Sequence, residues 1–283
     1  MKDEYYISSL YHNNKTRYRL IQLFKIFSTP PRDDIMALFV NKLSDETIIK
    51  CLIYFANSKP EQQSAYSNKL IDNRIIGRAK RYHNIIKNTP IENTIGKYLD
   101  IGCNNGVYTV ALGNLLKLNK SDIYGIDLGK FAGMSIEPID GFNYKDYDGV
   151  NIPYDDNSFD LISMFMVFHH VNRPNELMSE IKRVTKKGGL ILLREHDTEN
   201  NNMYKKLFTL EHYLYNIFYD KIDFEKFKKE YYDNYYSKSE LIKMFSDNGF
   251  KYIEQNEKIK RESQKFYKLN NPTNYYQITF VKQ

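Results

Sequence analysis

The chain has 283 residues, 42% hydrophobic and 27% charged, enough apolar material for a sizeable core, which excludes wholesale disorder. Lys and Arg outnumber Asp and Glu by 41 to 35, a mild excess of +6 that permits a polyanionic partner without requiring one. No apolar run reaches the ~18 residues of a spanning helix, and two cysteines, Cys51 and Cys103, are too few for a disulfide framework or a Cys-only zinc site.

The first residues, MKDEYYISSLYHNNK, show no continuous apolar stretch or cleavage site, so the expectation is a soluble cytoplasmic protein. Residues 1 to about 90 read as a helical N-terminal region. Arg17 to Phe27 has apolar residues at helical spacing, Thr29-Pro30-Pro31 breaks it, and Asp33–Leu43 and Asp45–Ala56 follow. Another helix is expected from about Gln63 to Lys87, with a basic end at Arg78–Arg81. From Gly96 the texture changes. β-prone runs at Lys97–Ile101, Asp122–Leu128, Phe159–Met166 and Leu190–Glu195 alternate with helical patterns at Val107–Leu118 and Asn175–Lys186. That alternation predicts right-handed βαβ units on a mainly parallel, doubly wound α/β sheet with helices on both faces. Residues 198–236 read as a helical insertion rich in Tyr and Lys. Ser237 to Glu240 spells a capping box before Leu241–Phe245, and Asn248-Gly249 ends that helix. Lys251–Ile259 and Tyr275–Val281 read as final strands around a polar loop, Lys260–Asn271. The predicted division is a helical region, 1–90, and an α/β domain, 91–283, with 198–236 as a lid.

The strongest chemical signal is Tyr98-Leu99-Asp100-Ile101-Gly102-Cys103-Asn104-Asn105-Gly106, a strand entering a glycine-containing turn before a helix. Glycine there allows unusual backbone angles and close approach of a ligand. A second strand ends in Asp127, 21 residues beyond Gly106 (127 − 106), near the spacing of an acid that grips ribose hydroxyls. The pattern points to a nucleoside-containing cofactor at the carboxyl edge of the sheet. A dinucleotide site wants G-x-G-x-x-G, whereas this turn is D-x-G-x-x-x-G. Asp100 beside it would repel pyrophosphate and suit a ligand carrying ammonium and sulfonium charge.

At these residues the chain resembles the class I S-adenosylmethionine-dependent methyltransferases, whose first motif is an acid followed by three alternating glycines. Asn104 stands at the middle glycine, and Asn tolerates left-handed backbone better than most residues. The resemblance covers roughly residues 96–197 and is closest to the type 11 methyltransferase domain group. Asp148 to Ile162 (DGVNIPYDDNSFDLI) looks like that group's D-x-x-x-[LI]-P-[FY]-x-[DN]-x-S-F-D stretch. Phe168-His169-His170-Val171 and Lys186-Lys187-Gly188-Gly189-Leu190 match the entry after the fourth strand and the turn before the fifth. The resemblance implies a Rossmann-like fold and S-adenosyl-L-methionine as cofactor. It implies that Asp148 accepts from the adenine amino group and that Gly149 offers a backbone amide. The expected cofactor set is Asp100, Gly102, Cys103, Asn104, Asn105, Gly106, Asp127, Leu128, Asp148, Gly149, Met164 and Phe165.

Arg194-Glu195-His196-Asp197 closes the fifth strand, where sheets of this type place ligands. A histidine beside a carboxylate can take a proton from an acceptor, so Glu195, His196 and His169 are the candidate catalytic residues. A salt-bridged strand end is the structural alternative. No metal-ligand set is read from the sequence. Missing motifs argue against methylation of exocyclic amino groups of bases and against cytosine C5 chemistry. The acceptor is read as N or O, with a lean towards RNA or another phosphate-bearing acceptor over a small metabolite from Tyr204, Lys205, Lys206, Lys228 and Lys229. An inactive cofactor-binding partner and a nucleotide-dependent oxidoreductase stay open as alternatives.

Overall fold

The computed structural model of the chain describes residues 68–89, 91, 94–131, 134–196, 212, 229–254 and 275–283. Helix α1 (Asn68–Ile86) leads into β1 (Tyr98–Ile101), α2 (Val107–Leu115) and β2 (Ile123–Asp127). A two-residue ladder, β3 (Lys130–Phe131) with β4 (Met134–Ser135), precedes β5 (Asn143–Asp146). Then come β6 (Phe159–Phe165), α3 (Pro174–Val184), β7 (Thr185–His196), α4 (Lys238–Asp247), β8 (Phe250–Ile253) and β9 (Tyr275–Lys282). The main sheet has seven strands in the order β5-β2-β1-β6-β7-β9-β8. β5, β2, β1, β6 and β7 are parallel, and β9 and β8 close the edge antiparallel. The sequence-based expectation of a doubly wound α/β sheet with helices on both faces is met.

Alternation along the strands builds two cores. In β7, Leu190 and Leu192 join the layer under α1 and α2, with Tyr82, Ile86 and Leu112. Ile191 and Leu193 join the opposite layer under α3 and α4, with Leu177, Ile181, Leu241 and Phe245. Side chains of successive strand residues point to opposite faces, so a continuous apolar run is what a strand covered on both sides requires. Each fully buried Leu or Ile contributes about 1.5–3 kcal/mol relative to an exposed one. The predicted boundary at residue 90 assigns α1 to the N-terminal region, yet α1 supplies Ala79, Tyr82, Ile85 and Ile86 to the sheet's core.

The structure adds elements that the pattern did not show. β5 is a polar edge strand (Asn-Tyr-Lys-Asp) with three of its four residues exposed, so no apolar alternation marks it. β7 begins at Thr185 rather than Leu190, and a register shift between Phe159 and Leu161 absorbs its glycine turn. Asp160 secures that corner: its carboxylate accepts from Gly96 N, Lys97 N and Lys186 Nζ at 2.8–2.9 Å. The expected helices within 1–67, the insertion at 198–211 and 213–228, and the loop 260–271 lie outside the described residues. Among the described residues no helix is long and apolar enough to cross a membrane.

The capping box is formed as read. Ser237 Oγ accepts from Glu240 N, and the Glu240 carboxylate accepts from Ser237 N at 2.6 Å. The helix it starts stacks Phe245 on Phe280, with centroids 4.4 Å apart and planes inclined by 7°. Ser237→Ala leaves first-turn donors without a partner, at about 1 kcal/mol. The expected thermal midpoint falls by roughly 2–4 °C, measurable by calorimetry.

Candidate active site

β1, β2, β6 and β7 run parallel, so their carboxyl ends share one edge. The turn leaving β1 takes positive φ at three alternate residues: Gly102 (+72°), Asn104 (+50°) and Gly106 (+83°). A Cβ at Gly102 would overlap the Val167 side chain, and one at Gly106 the Phe142 ring, so glycine is required at both. Gly102 N and Cys103 N donate to Ile126 O at 2.8 and 3.2 Å, which seats the turn on the end of β2. Asp127 completes the seat: Oδ2 accepts from Asn104 N and Oδ1 from Leu128 N, both at 2.7 Å. Asn104 fills the middle position in two ways, by tolerating left-handed backbone and by accepting from Asn105 N through Oδ1 at 2.6 Å.

Asp148 sits past β5 as an exposed carboxylate. The Asn151 side chain and the backbone N–H groups of Asn151 and Val150 donate to it and lower its pKa. Leu128 is 47% exposed and stands beside Gly149, giving the edge an apolar surface between the two acids. Each Asp127 oxygen holds one backbone N–H and keeps a second lone pair. The donor set therefore fits a nucleoside: a carboxylate for a ribose diol, an apolar shelf for a base, and a second acid for an exocyclic amine.

Three expected contacts need correction. Asp100 does not present a charge to the cofactor edge; it is 3% exposed. It shares Tyr98's face of β1, so its carboxylate turns inward, accepting from Thr109 Oγ1 at 2.6 Å and Ser163 Oγ at 2.5 Å. Burial pushes its pKa up to about 7, with the two hydroxyl bonds opposing. Met164 is wholly buried in the α3/α4 core, not a cofactor wall. Phe165 points to the other face and packs on Tyr82 and Tyr108, with centroids at 4.2 and 4.9 Å. Cys103 is buried against Gly125 as a space-filler, and burial pushes its thiol pKa up.

The other half of the edge lies between β6 and β7. Met166, the first residue beyond β6, has φ +65°, a strained value for an unbranched side chain, held by its N–H to Arg194 O at 2.8 Å. The turn Phe168–His170 follows. Glu195 organises it: Oε1 accepts from Val167 N (3.0 Å) and Phe168 N (2.7 Å), and Oε2 lies 2.5 Å from His169 Nδ1. His169 is 1% exposed, Glu195 3% and His196 6%. His169 Nε2 faces His212 Nε2 at 3.3 Å, and His212 Nδ1 lies 3.3 Å from Tyr235 Oη. Tyr235 stacks on His169 with centroids 5.2 Å apart, and Asn234 N donates to His169 O at 2.7 Å. Burial pushes the pKa of His169 and His196 down, which keeps these two imidazoles neutral, and pushes that of Glu195 up; with Glu195 as the carboxylate, His169 Nδ1–H donates to it. The expected Arg194–Asp197 constellation does not act as one unit. Arg194 leaves the group and lies over the Tyr275 ring at 3.9 Å, and Asp197 is outside the described residues. His212 and Tyr235 were not singled out from sequence, because neither belongs to a motif. A groove of about 540 Å³ near Lys97, Tyr124 and Tyr154 opens at the strands' amino ends, away from this site.

Comparison with known proteins agrees with the geometry. A family model described as a methyltransferase domain matches residues 73–255. The chain belongs to that family, the class I S-adenosylmethionine-dependent methyltransferases, and its cofactor is S-adenosylmethionine. Demethylmenaquinone methyltransferase of Staphylococcus aureus is 28% identical over 54% of this chain and 67% of its own length. An S-adenosylmethionine-dependent methyltransferase structure from Mesorhizobium loti aligns with TM-score 0.50 and 13% identity, covering 74% of this chain and 100% of that one, a likeness of fold.

The buried Asp100 has a pH signature. Its carboxyl is held from 3.8 up to about 7 in the folded chain, with Asp127 adding to the rise. The folded state therefore binds more protons than the unfolded one between about pH 4 and 7, and this contribution is lost as pH rises through 7. Asp100→Asn should flatten that part of the stability profile, read as urea midpoints from pH 4.5 to 8. An unchanged pH slope would contradict the assignment.

Proposed function

We propose that the protein transfers the methyl group of S-adenosylmethionine to an oxygen or nitrogen of a small organic acceptor bound over the carboxyl ends of β6 and β7. The observation that carries this reading is the Asp127 carboxylate fastened to the positive-φ turn of residues 102–106. In this reading the Asp127 carboxylate takes the ribose diol, and Asp148 takes the adenine amino group beside Leu128 and Gly149. The turn leaves room for the methionyl end. When bound, the cofactor supplies an electrophilic methyl on a sulfonium, displaced in line.

The chain's own contribution is mostly orientation, which can lower a barrier by about 7–11 kcal/mol. Glu195 fixes the tautomer of His169 and so leaves its Nε2 with the lone pair. His169 Nε2 opens onto His212 rather than solvent, so Glu195 and His169 act as positioning residues for the polar cluster beside the acceptor. The Staphylococcus relative is named for demethylmenaquinone, which supports a small acceptor. The RNA reading rests on tyrosines and lysines of the insertion, among them Tyr204, Lys205, Lys206, Lys228 and Lys229, of which only Lys229 is described. The division at residue 90 is kept only as a division of the sequence, since α1 belongs to the methyltransferase core.

Turnover of labelled methyl donor with metabolite and RNA fractions tests the reading, the metabolite fraction being expected to take the label. Label in RNA, with binding that falls steeply with salt, would reassign the acceptor. Asp127→Ala should weaken S-adenosylhomocysteine binding about tenfold or more by calorimetry, from about 1–3 kcal/mol of lost pairing. Glu195→Gln should lower kcat with that affinity unchanged. Cofactor binding with no acceptor labelled in any fraction would make the protein an inactive cofactor-binding partner.

A further inference from the structure

Four of the chain's six histidines, His169, His170, His196 and His212, gather at the carboxyl edge of β6 and β7. Three of them converge. One ring nitrogen from each of His169, His196 and His212 lies within 4.8 Å of the other two. We propose that these three imidazoles bind one divalent first-row transition-metal ion of the zinc type.

The closest pair of nitrogens suits that ion, and the third imidazole stands within reach of it. Zinc–nitrogen bonds are about 2.0–2.1 Å, so two nitrogens at a tetrahedral angle stand about 3.3–3.4 Å apart. His169 Nε2 and His212 Nε2 are 3.3 Å apart. The rings are also arranged for convergence rather than stacking. Their centroids are 5.0, 5.2 and 5.1 Å apart and their planes are inclined by 68°, 62° and 80°.

The outer contacts are those of a metal site. Metal-bound histidine usually donates its other ring N–H to a carboxylate or a similar acceptor, which fixes the tautomer and raises its basicity as a ligand. Glu195 does this for His169 Nδ1, and the Glu195 carboxylate is itself anchored by Val167 N and Phe168 N. The Tyr235 hydroxyl stands in the same relation to His212 Nδ1. Three ligands come from three separate places: the turn after β6, the end of β7, and residue 212. No short-spaced zinc motif exists, which is why the sequence gives no sign of the site.

Three protein ligands leave the fourth tetrahedral position for an exogenous atom, the composition of catalytic rather than closed structural sites. The cluster also borders the cofactor half of the edge. Val167, two residues before His169, packs so closely on Gly102 of the cofactor turn that no Cβ fits between them. An acceptor hydroxyl or enol oxygen bound at the open position would lie beside the methyl donor and be acidified by the cation. This role rests on the methyltransferase reading, whereas the metal site itself does not. With the ion bound, the His169 lone pair is committed to it.

The test uses the full chain, stripped with a chelator and titrated with Co²⁺ under visible absorption. Binding of one equivalent, with the intense bands of tetrahedral cobalt and displacement by Zn²⁺, is expected. His212 is only half-buried, so His212→Ala is the variant most able to fold, and it should weaken Co²⁺ binding at least 100-fold. Glu195→Gln keeps shape and all three ligands, and should weaken it about 10–100-fold through the outer contact. S-adenosylhomocysteine affinity is measured in the same samples. Retained cofactor binding without saturable Co²⁺ binding would overturn the metal site and leave the methyltransferase reading standing. So would cobalt binding that is indifferent to both substitutions.

Discussion

The carboxylate of Asp127 is the hinge of the cofactor side. It ends β2, accepts from Asn104 N in the neighbouring turn, and accepts from Leu128 N in its own. Bonds of a charged acceptor are stronger than neutral ones and more directional in what they select. Asp127 uses them to hold a turn whose residues alternate into left-handed backbone. Without that seat only the first residues of the turn, Gly102 and Cys103, stay tied to β2 through Ile126 O. With it, the ends of β1 and β2 become one surface, flanked by an exposed Leu128 and the exposed acid Asp148.

The same edge divides into two chemistries because strand direction brings β6 and β7 alongside β1. On one side are acids and glycines that suit a nucleoside. On the other is a group of imidazoles gathered beside Glu195. Asp100 is an internal clamp, tying β1 to α2 through Thr109 and to β6 through Ser163. The Val167–Gly102 contact joins the halves, so the geometry of one constrains the other.

Much of the fold was legible because it is written in local chemistry. Leu190 to Leu193 is apolar at every position, which only a strand covered on both faces needs. Ser237 and Glu240 cap α4 as their spacing requires. Asp127 was readable from its distance beyond Gly106. What escaped was tertiary. The polar β5 is a strand by virtue of pairing with β2 and has no apolar period. Asp100 looked like a charge for the cofactor, but its direction depends on which face of β1 it occupies. Met164 and Phe165 looked like a cofactor wall because they end a strand, yet each is claimed by a separate core. His212 and Tyr235 reach the site from a separate part of the chain, and no spacing rule links them to His169.

The central claim is that this edge is built for a sulfonium nucleoside rather than a dinucleotide. Calorimetric titration of the full chain with S-adenosylhomocysteine, S-adenosylmethionine and NAD tests it most directly. One site per chain is expected for the two sulfur nucleosides and no saturable heat for NAD. Saturable NAD binding, or no binding of either sulfur nucleoside by folded protein, would contradict it.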